Sequence, residues 1–481
     1  MSSILNGLKP QNVLKNFEAI SQIPRGSGNE KQVSDYLVKF GKDLGLETVQ
    51  DEALNVVIRK PATKGYENAP GVVLQGHMDM VCEKEKDVEH DFEKDPIKLR
   101  LDGDMLYATG TTLGADNGIA VAMALAILED DNVEHPALEV LVTTNEETGM
   151  DGAAALDPSL IKGKYIINID SEEEGYILVS CAGGKTSVVT LPVEYTKACP
   201  DKKALEVEVS GLLGGHSGMD IVLQKANANK LVGRLLNLLT VDFDLATIQG
   251  GTKHNAIPRE ASCVILVDAK DVDEAKKQIG DLEATFRNEY STADPGLVIK
   301  VKDASAEEVM TAESKAKIIR MACLIPHGVQ SASMEIKGLV ESSTNFAIID
   351  NQHDTISFMS AIRSSVISLR EEIAERVQLL ADVLGGTNVI NGVYPAWEHR
   401  KGSALEKIGS DAYKDLTGKE PIITALHAGL ECGLLLDKLP NAEAISIGPD
   451  MFDVHTPNEH ISLPSVANIW EYLLALLKAI K

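Results

Sequence analysis

Residues 71–79 read GVVLQGHMD: a short apolar run and a glycine, then a histidine and an aspartate separated by one residue. An apolar run of this length, enriched in β-branched residues, reads as a strand buried on both faces. Metal-binding residue types stand directly after its carboxyl end. The same arrangement recurs along the chain. EVLVTTNEETG (139–149) puts Glu146 and Glu147 after an apolar run, IINIDSEEEG (166–175) puts Asp170 there, and ISIGPDMFDVHTPNE (445–459) leads to His455. TTLGADNG (111–118) sets Asp116 just before NGIAVAMALAILED (117–130), a strongly apolar stretch that reads as a buried helix. In open α/β sheets, ligands bind beyond the carboxyl ends of the strands. Five loops, each carrying a histidine or a carboxylate, are therefore expected to meet at one edge.

Around these motifs the pattern divides into two regions. Up to about residue 184, strand candidates at 54–60, 71–76, 137–144 and 164–169 alternate with helical patterns, and a turn at Pro24-Arg25-Gly26-Ser27-Gly28 breaks the first helical stretch. From there the pattern shifts. LEVEVSG (205–211) alternates like a strand with one exposed side, KANANKLVGRLLNLL (225–239) reads as an amphipathic helix, and a long helix is expected from Ser364 to about Leu384. The last stretch returns to the first character, with a helix at 403–416, a strand at 442–448 and a helix at 464–480. The fold expected is α/β, with a mostly parallel central sheet covered by helices in a domain split between 1–184 and 395–481. An α+β domain is inserted at 185–394.

The chain has 481 residues, enough for two or three domains with real cores. Its 46 Lys and Arg stand against 72 Asp and Glu, a formal charge of −26, which is repelled by phosphate backbones and anionic lipid. No nucleic-acid or membrane partner is expected. The opening segment MSSILNGLKPQNVLKNF (1–17) lacks a basic region followed by an apolar run, and the six cysteines have neither CxxC nor disulfide-framework spacing. A reduced, cytoplasmic protein is the reading.

The residue types fit one kind of site. Zinc takes imidazole nitrogen and carboxylate oxygen, and two ions sharing a carboxylate need about five protein ligands. Two histidines and three carboxylates meet that number. In His77-x-Asp79, the aspartate can orient the imidazole from its other nitrogen. In Glu146-Glu147, adjacent carboxylates diverge, so one can bind metal while the other acts as general base. The spacing of His427, Glu431 and Cys432 also looks like a metal site.

GHMDMV (76–81), GTTLGADNGIA (110–120), TTNEETGMDGA (143–153), NIDSEEEG (168–175), LLGGHSGMDI (212–221), KHNAIPRE (253–260), HAGLECG (427–433) and HTPNE (455–459) run in one order along nearly the whole chain. Together they resemble the aminoacyl-histidine (Xaa-His) dipeptidases, the bacterial carnosinase-like enzymes of the di-zinc aminopeptidase and deacylase family. The resemblance implies that Asp116 bridges two divalent ions, zinc first with cobalt or manganese as alternatives. His77 and Asp170 would complete one ion's ligands, and Glu147 and His455 the other's. Glu146 would be the general base and Asp79 the residue orienting His77. His216 would polarise the scissile carbonyl, often in the active site of a partner subunit, which implies a homodimer. Asn255 and Arg363 would hold the substrate, and Gly429 would let backbone approach it. The resemblance places no ligand at His427, Glu431 or Cys432, and makes the inserted domain a lid and dimerisation domain.

The activity expected is hydrolysis of small peptides, with preference for Xaa-His dipeptides such as β-alanyl-histidine, by a metal-bridging hydroxide with Glu146 as base. A related di-zinc tripeptidase or N-acyl amino acid deacylase is the alternative within enzymes. A non-catalytic binding module is the alternative outside them.

Overall fold

The computed structural model describes residues 4–481, so the first three residues of the opening segment lie outside the description. The chain forms two compact units. One comprises the chain up to Ser180 with His399–Ala425 and Leu430–Lys481, and the other comprises Cys181–Glu398 with Leu426–Gly429.

The first unit is built on an eight-stranded mixed sheet. Its strands lie in the order Glu47–Gln50, Val56–Lys60, Leu138–Thr143, Val72–His77, Tyr165–Asn168, Glu443–Ser446, Tyr176–Cys181, Ile422–Leu426. The four central strands run parallel, with His77 opposite Thr143, Gln75 opposite Asn168, and Asn168 opposite Ser446. Pairing turns antiparallel on either side of them. The parallel strands are the apolar runs of the sequence, and Val72–His77 and Leu138–Thr143 are buried at every position, as a sheet covered on both faces requires. Helix Ala115–Glu129 packs on Val72–His77 and on helix Gln11–Ser21. Its residues Asn117 to Leu128 are all buried, so no polar stripe is needed. Helix Ala404–Thr417 packs on Glu443–Ser446 and on helix Leu463–Ala479. A small antiparallel sheet joins Leu99–Asp102 and Met105–Ala108 to His460–Ser462 and Met451–Phe452. Its hairpin of Met451–Phe452 with His460–Ser462 brackets His455.

The second unit is an antiparallel sheet ordered Val298–Ala304, Lys202–Ser210, Ala261–Asp268, Phe243–Gly250, Val340–Asn351, Thr355–Ser364, Gly183–Pro192, Thr387–Tyr394, with Gly328–Ala332 also paired to Val340–Asn351. Leu205, Val207 and Val209 alternate into a core shared with helices Ala228–Leu238, Val272–Glu289, Ala312–Leu324 and Ile367–Leu384. That alternation is the period-2 pattern of a sheet packed on one face.

Candidate active site

In the first unit, the strand ends and loops bring all seven expected side chains together. His77 ends the central strand and is fully buried. Its Nε2 lies 3.1 Å from Asp116 Oδ1 and 3.5 Å from Asp170 Oδ1. His455 Nε2 lies 3.1 Å from the other oxygen of Asp116 and 3.0 Å from Glu147 Oε2. Asp116 thus turns one oxygen to each imidazole, with Asp170 flanking one and Glu147 the other. Ligand atoms fall into three overlapping groups, each within 4.8 Å: His77–Asp116–Asp170, His77–Glu146–Glu147 and Asp116–Glu147–His455. His455 sits at φ +64°, a left-handed conformation uncommon for a residue with a side chain, held at the tip of its hairpin.

Asp79 supports two of these residues at once. Its Oδ1 is 3.3 Å from His77 Nδ1, a charge contact that is not aligned as a hydrogen bond. The same carboxylate accepts the backbone N–H of Glu146 (3.1 Å) and of Glu147 (3.3 Å), and the Ser27 hydroxyl at 2.8 Å. Asp79 therefore anchors the start of the short helix Glu146–Gly149 as well as facing the imidazole.

The electrostatics describe a site with too much negative charge. Burial opposes a charge on His77, yet Asp170, Asp116 and Asp79 together hold its pKa well above the imidazole value. Asp116 and Glu147 raise His455 to about 11. Burial pushes Asp170 up to about 6, with Asp116 and Glu147 adding to the shift. Burial, then Asp170, Glu431 and Glu147, push Glu146 well above the carboxylate range. His77 Nδ1 and Glu147 Oε1 are buried without a hydrogen-bond partner. Two imidazoles among four carboxylates, with a shared oxygen pair at the centre, fit a pair of divalent cations.

The second unit gathers another set. His216 lies on the short strand Gly215–His216, opposite Ala256. Its Nδ1 accepts the N–H of Gly218 (3.3 Å) and of Met219 (3.1 Å), which makes the ring a neutral imidazole with its proton on Nε2. Asn255 accepts the Ser217 N–H through its carbonyl at 2.8 Å. Arg363, on Thr355–Ser364, donates to the Tyr394 hydroxyl at 2.6 Å and to Ser217 Oγ at 3.5 Å, and its Nε is buried without a partner. A side chain at Gly218 would collide with the His427 carbonyl (2.4 Å) and crowd His216 Cε1 (3.2 Å) and Arg363 Cδ (3.4 Å), so these groups converge there. Gly429 follows His427 in the half-buried turn after the strand ending at Leu426.

The profile of Peptidase family M20/M25/M40 matches residues 73–479. The chain belongs to this family. The cytosol non-specific dipeptidase of Escherichia coli is 38% identical over 481 residues, 99% of each chain. The crystal structure of aminoacylhistidine dipeptidase from Vibrio alginolyticus matches with a TM-score of 0.93 at 35% identity, covering 100% of this chain and 99% of that one. Aminopeptidase PepT from Bacillus cereus, at 16% identity with a TM-score of 0.57 over 98% of this chain and 99% of that one, shares the fold.

In this M20-family chain, Glu30 and Asn117 hold the site without any signal as isolated letters, and Glu431 does so in a role its spacing did not suggest. Glu30 accepts the N–H of Gly28 (2.9 Å) and of Asn145 (3.1 Å), tying the Pro24–Gly28 turn to the loop before Glu146. Asn117 accepts the His77 N–H at 3.3 Å and donates to the Ile169 carbonyl at 2.8 Å, linking the segments that carry His77, Asp116 and Asp170. Glu431 is fully buried, takes hydrogen bonds from Gln75 Nε2 (2.6 Å) and Thr143 Oγ1 (2.7 Å), and is pushed by burial up to about 7. His427 pairs instead with Ser343 Oγ at 2.7 Å.

Proposed function

We propose that this chain is a dinuclear-metal dipeptidase that prefers Xaa-His dipeptides such as β-alanyl-histidine. The observation that carries the reading is Asp116, whose two oxygens each face a different imidazole at 3.1 Å, with Asp170 beside one and Glu147 beside the other. The dipeptidase names of the Escherichia coli and Vibrio alginolyticus relatives support the substrate class. His77, Asp116 and Asp170 would hold one ion and Asp116, Glu147 and His455 the other, with zinc as the metal. Bound there, the ions would supply Lewis-acid polarisation of the scissile carbonyl and lower the pKa of the attacking water.

The residues of the chain divide the remaining work. Glu146 takes the proton of the attacking water and delivers it to the leaving amine nitrogen, while Asp79 keeps His77 oriented. The Glu146 carboxylate, grouped within 4.8 Å of ligand atoms of His77 and Glu147, is placed to pass a proton at the site. In the second unit, the lid and dimerisation domain of this reading, the Nε2–H of His216 stabilises the developing oxyanion. Arg363 and Asn255 hold the substrate's carboxylate end, with backbone approach at Gly429. The protein acts in the cytoplasm, as the name of the Escherichia coli relative suggests, and among the described residues no helix is long and apolar enough to cross a membrane.

A homodimer through the second unit is part of the reading, with His216 serving the partner's site. Strand Thr387–Tyr394 ends its sheet with one side unpaired and exposes Val389, Ile390 and Val393, and the helix before it exposes Leu379 and Val383. An apolar, open sheet edge is a site for strand pairing with a second copy.

The test is a hydrolysis panel of Xaa-His dipeptides, other dipeptides, tripeptides and N-acyl amino acids on zinc-loaded and chelator-stripped chain, with Glu146→Gln alongside. Metal-dependent cleavage favouring Xaa-His, and a fall of about 10²- to 10⁴-fold in Glu146→Gln with zinc retained, are expected. Chelator-insensitive cleavage, or a Glu146→Gln chain as fast as wild type, refutes the reading.

A further inference from the structure

Glu459 stands four residues past His455 and is buried. Its carboxylate accepts four consecutive backbone N–H groups. Oε2 takes those of Leu113 (2.8 Å) and Gly114 (3.0 Å), and Oε1 takes those of Ala115 (2.8 Å) and Asp116 (3.3 Å). Arg25 grips the same loop from the other side. Its buried guanidinium donates to the Gly114 carbonyl from Nη2, and to the carbonyls of Met78 (3.0 Å) and Asp79 (3.1 Å) from Nη1. The Gly114 residue therefore gives its N–H to Glu459 and its C=O to Arg25.

The loop is built around this arrangement. Gly114 sits at φ +67°, and a Cβ there would lie 2.5 Å from Arg25 Nη2; a Cβ on Gly118 would lie 2.6 Å from the same atom. Two glycines thus clear the volume that the guanidinium fills. Burying both charges is costly, and main-chain hydrogen bonds offset that cost on each side. What they do here is geometric. Asp116 must turn one oxygen toward each imidazole, yet it lies at the start of its helix with non-helical φ and ψ of −77° and 108°. Glu459 fixes the backbone that carries it. Arg25 ties that backbone to the strand end carrying His77 and Asp79, and Glu459 shares its hairpin with His455.

We propose that Arg25 and Glu459 are a positioning pair that sets the spacing of the three ligand-bearing segments through the Gly114 residue, and so tunes metal affinity rather than folding. The inference rests on the two-metal reading above. The hydrogen bonds of the pair go to backbone groups and not to the ligand atoms themselves.

The test is titration of the metal-free full chain with cobalt(II), followed by calorimetry and by the visible d–d absorption bands, with melting of the metal-free forms measured in parallel. Wild type is expected to bind two cobalt ions. Glu459→Gln leaves one amide oxygen and an NH₂ group facing four N–H donors, and Arg25→Lys keeps the charge but loses the fork. Each should weaken cobalt binding about 10- to 100-fold and change the band intensities. The double variant should lose less than the product of the two single losses, because both act on one residue's backbone. If the variants' metal-free melting falls while cobalt affinity and bands match wild type, the role is structural and the proposal is overturned. If Glu459→Gln does not fold, Arg25→Lys decides alone; if neither folds, the pair serves folding and the proposal is again overturned. A wild-type chain that takes up no cobalt instead overturns the two-metal reading itself, and the inference with it.

Discussion

His216 offers a sharp test of whether the second unit takes part in the proposed reaction. With Nδ1 accepting from Gly218 and Met219, the ring has its proton on Nε2 as a single neutral donor. Burial, followed by the charge of Arg363, lowers its pKa. Neutral His216 therefore persists to lower pH than an ordinary histidine, which keeps Nδ1 able to accept from Gly218 and Met219 as the medium is acidified. One preorganised donor to a developing oxyanion contributes about 3 kcal/mol. At about 1.4 kcal/mol per decade, His216→Ala should reduce kcat about 10²-fold. In the proposed role the donor acts mainly on the transition state, so KM should stay within about 3-fold of wild type. The assay is steady-state release of histidine from β-alanyl-histidine by zinc-loaded protein, with zinc stoichiometry determined on the same samples. Because the ring donates without changing charge, the acid limb of kcat should keep its midpoint in the variant. Unchanged kcat with a raised KM would mean that His216 only binds substrate. A variant whose acid limb moves would mean that His216 acts as a proton carrier. Either result refutes the oxyanion argument.

Three further outcomes are expected. Arg363→Met should raise KM for dipeptides about 10- to 100-fold, the loss of a charge-assisted hydrogen-bonded contact of about 1.5–3 kcal/mol, and erase discrimination against C-terminal amides, read from KM for a dipeptide and its amide. His427 is buried beside Ser343, and burial, then Arg363, push its pKa down to about 4. A histidine neutral in the fold but protonated when unfolded contributes stability that is complete above pH ~6.5 and is lost as pH falls toward 4. His427→Asn should therefore show up to about 2 kcal/mol less loss of stability between pH 7.5 and pH 5 than wild type, measured by urea unfolding. Placing aspartates at the exposed edge-strand positions, Val389→Asp with Val393→Asp, should convert the proposed dimer to monomer in sedimentation velocity, because like charges would face each other across the paired edge.

How much of the molecule is legible in the sequence depends on how local each signal is. His77, Asp170 and the Glu146-Glu147 pair each come after an apolar run, and the parallel pairing of Val72–His77 with Leu138–Thr143 and Tyr165–Asn168 puts those run-ends side by side. Helix Ala115–Glu129 is equally plain, because its residues are apolar on every side. Strand Thr387–Tyr394 is not, since an edge strand with most positions exposed has no buried face to impose alternation. The spacing of His427 and Glu431 suits a helical i, i+4 pair, yet the helix begins only at Glu431, so the two never share a helix face. One pairs with Ser343, and the other is buried against Gln75 and Thr143. Arg25 and Glu459 are the opposite case. Nothing near Arg25 marks it apart from a turn, and its partners at Met78 and Gly114 are 53 and 89 residues away. Glu459 reaches Asp116 across 343 residues. Both partnerships are to backbone groups, which leave no trace in residue identity. A charge bonded to main-chain atoms reads in sequence like any solvated surface charge, and only burial, which requires the whole fold, separates the two. The candidate ligands of this site are thus written in local motifs, whereas Arg25 and Glu459, proposed to space them, are placed by the tertiary fold.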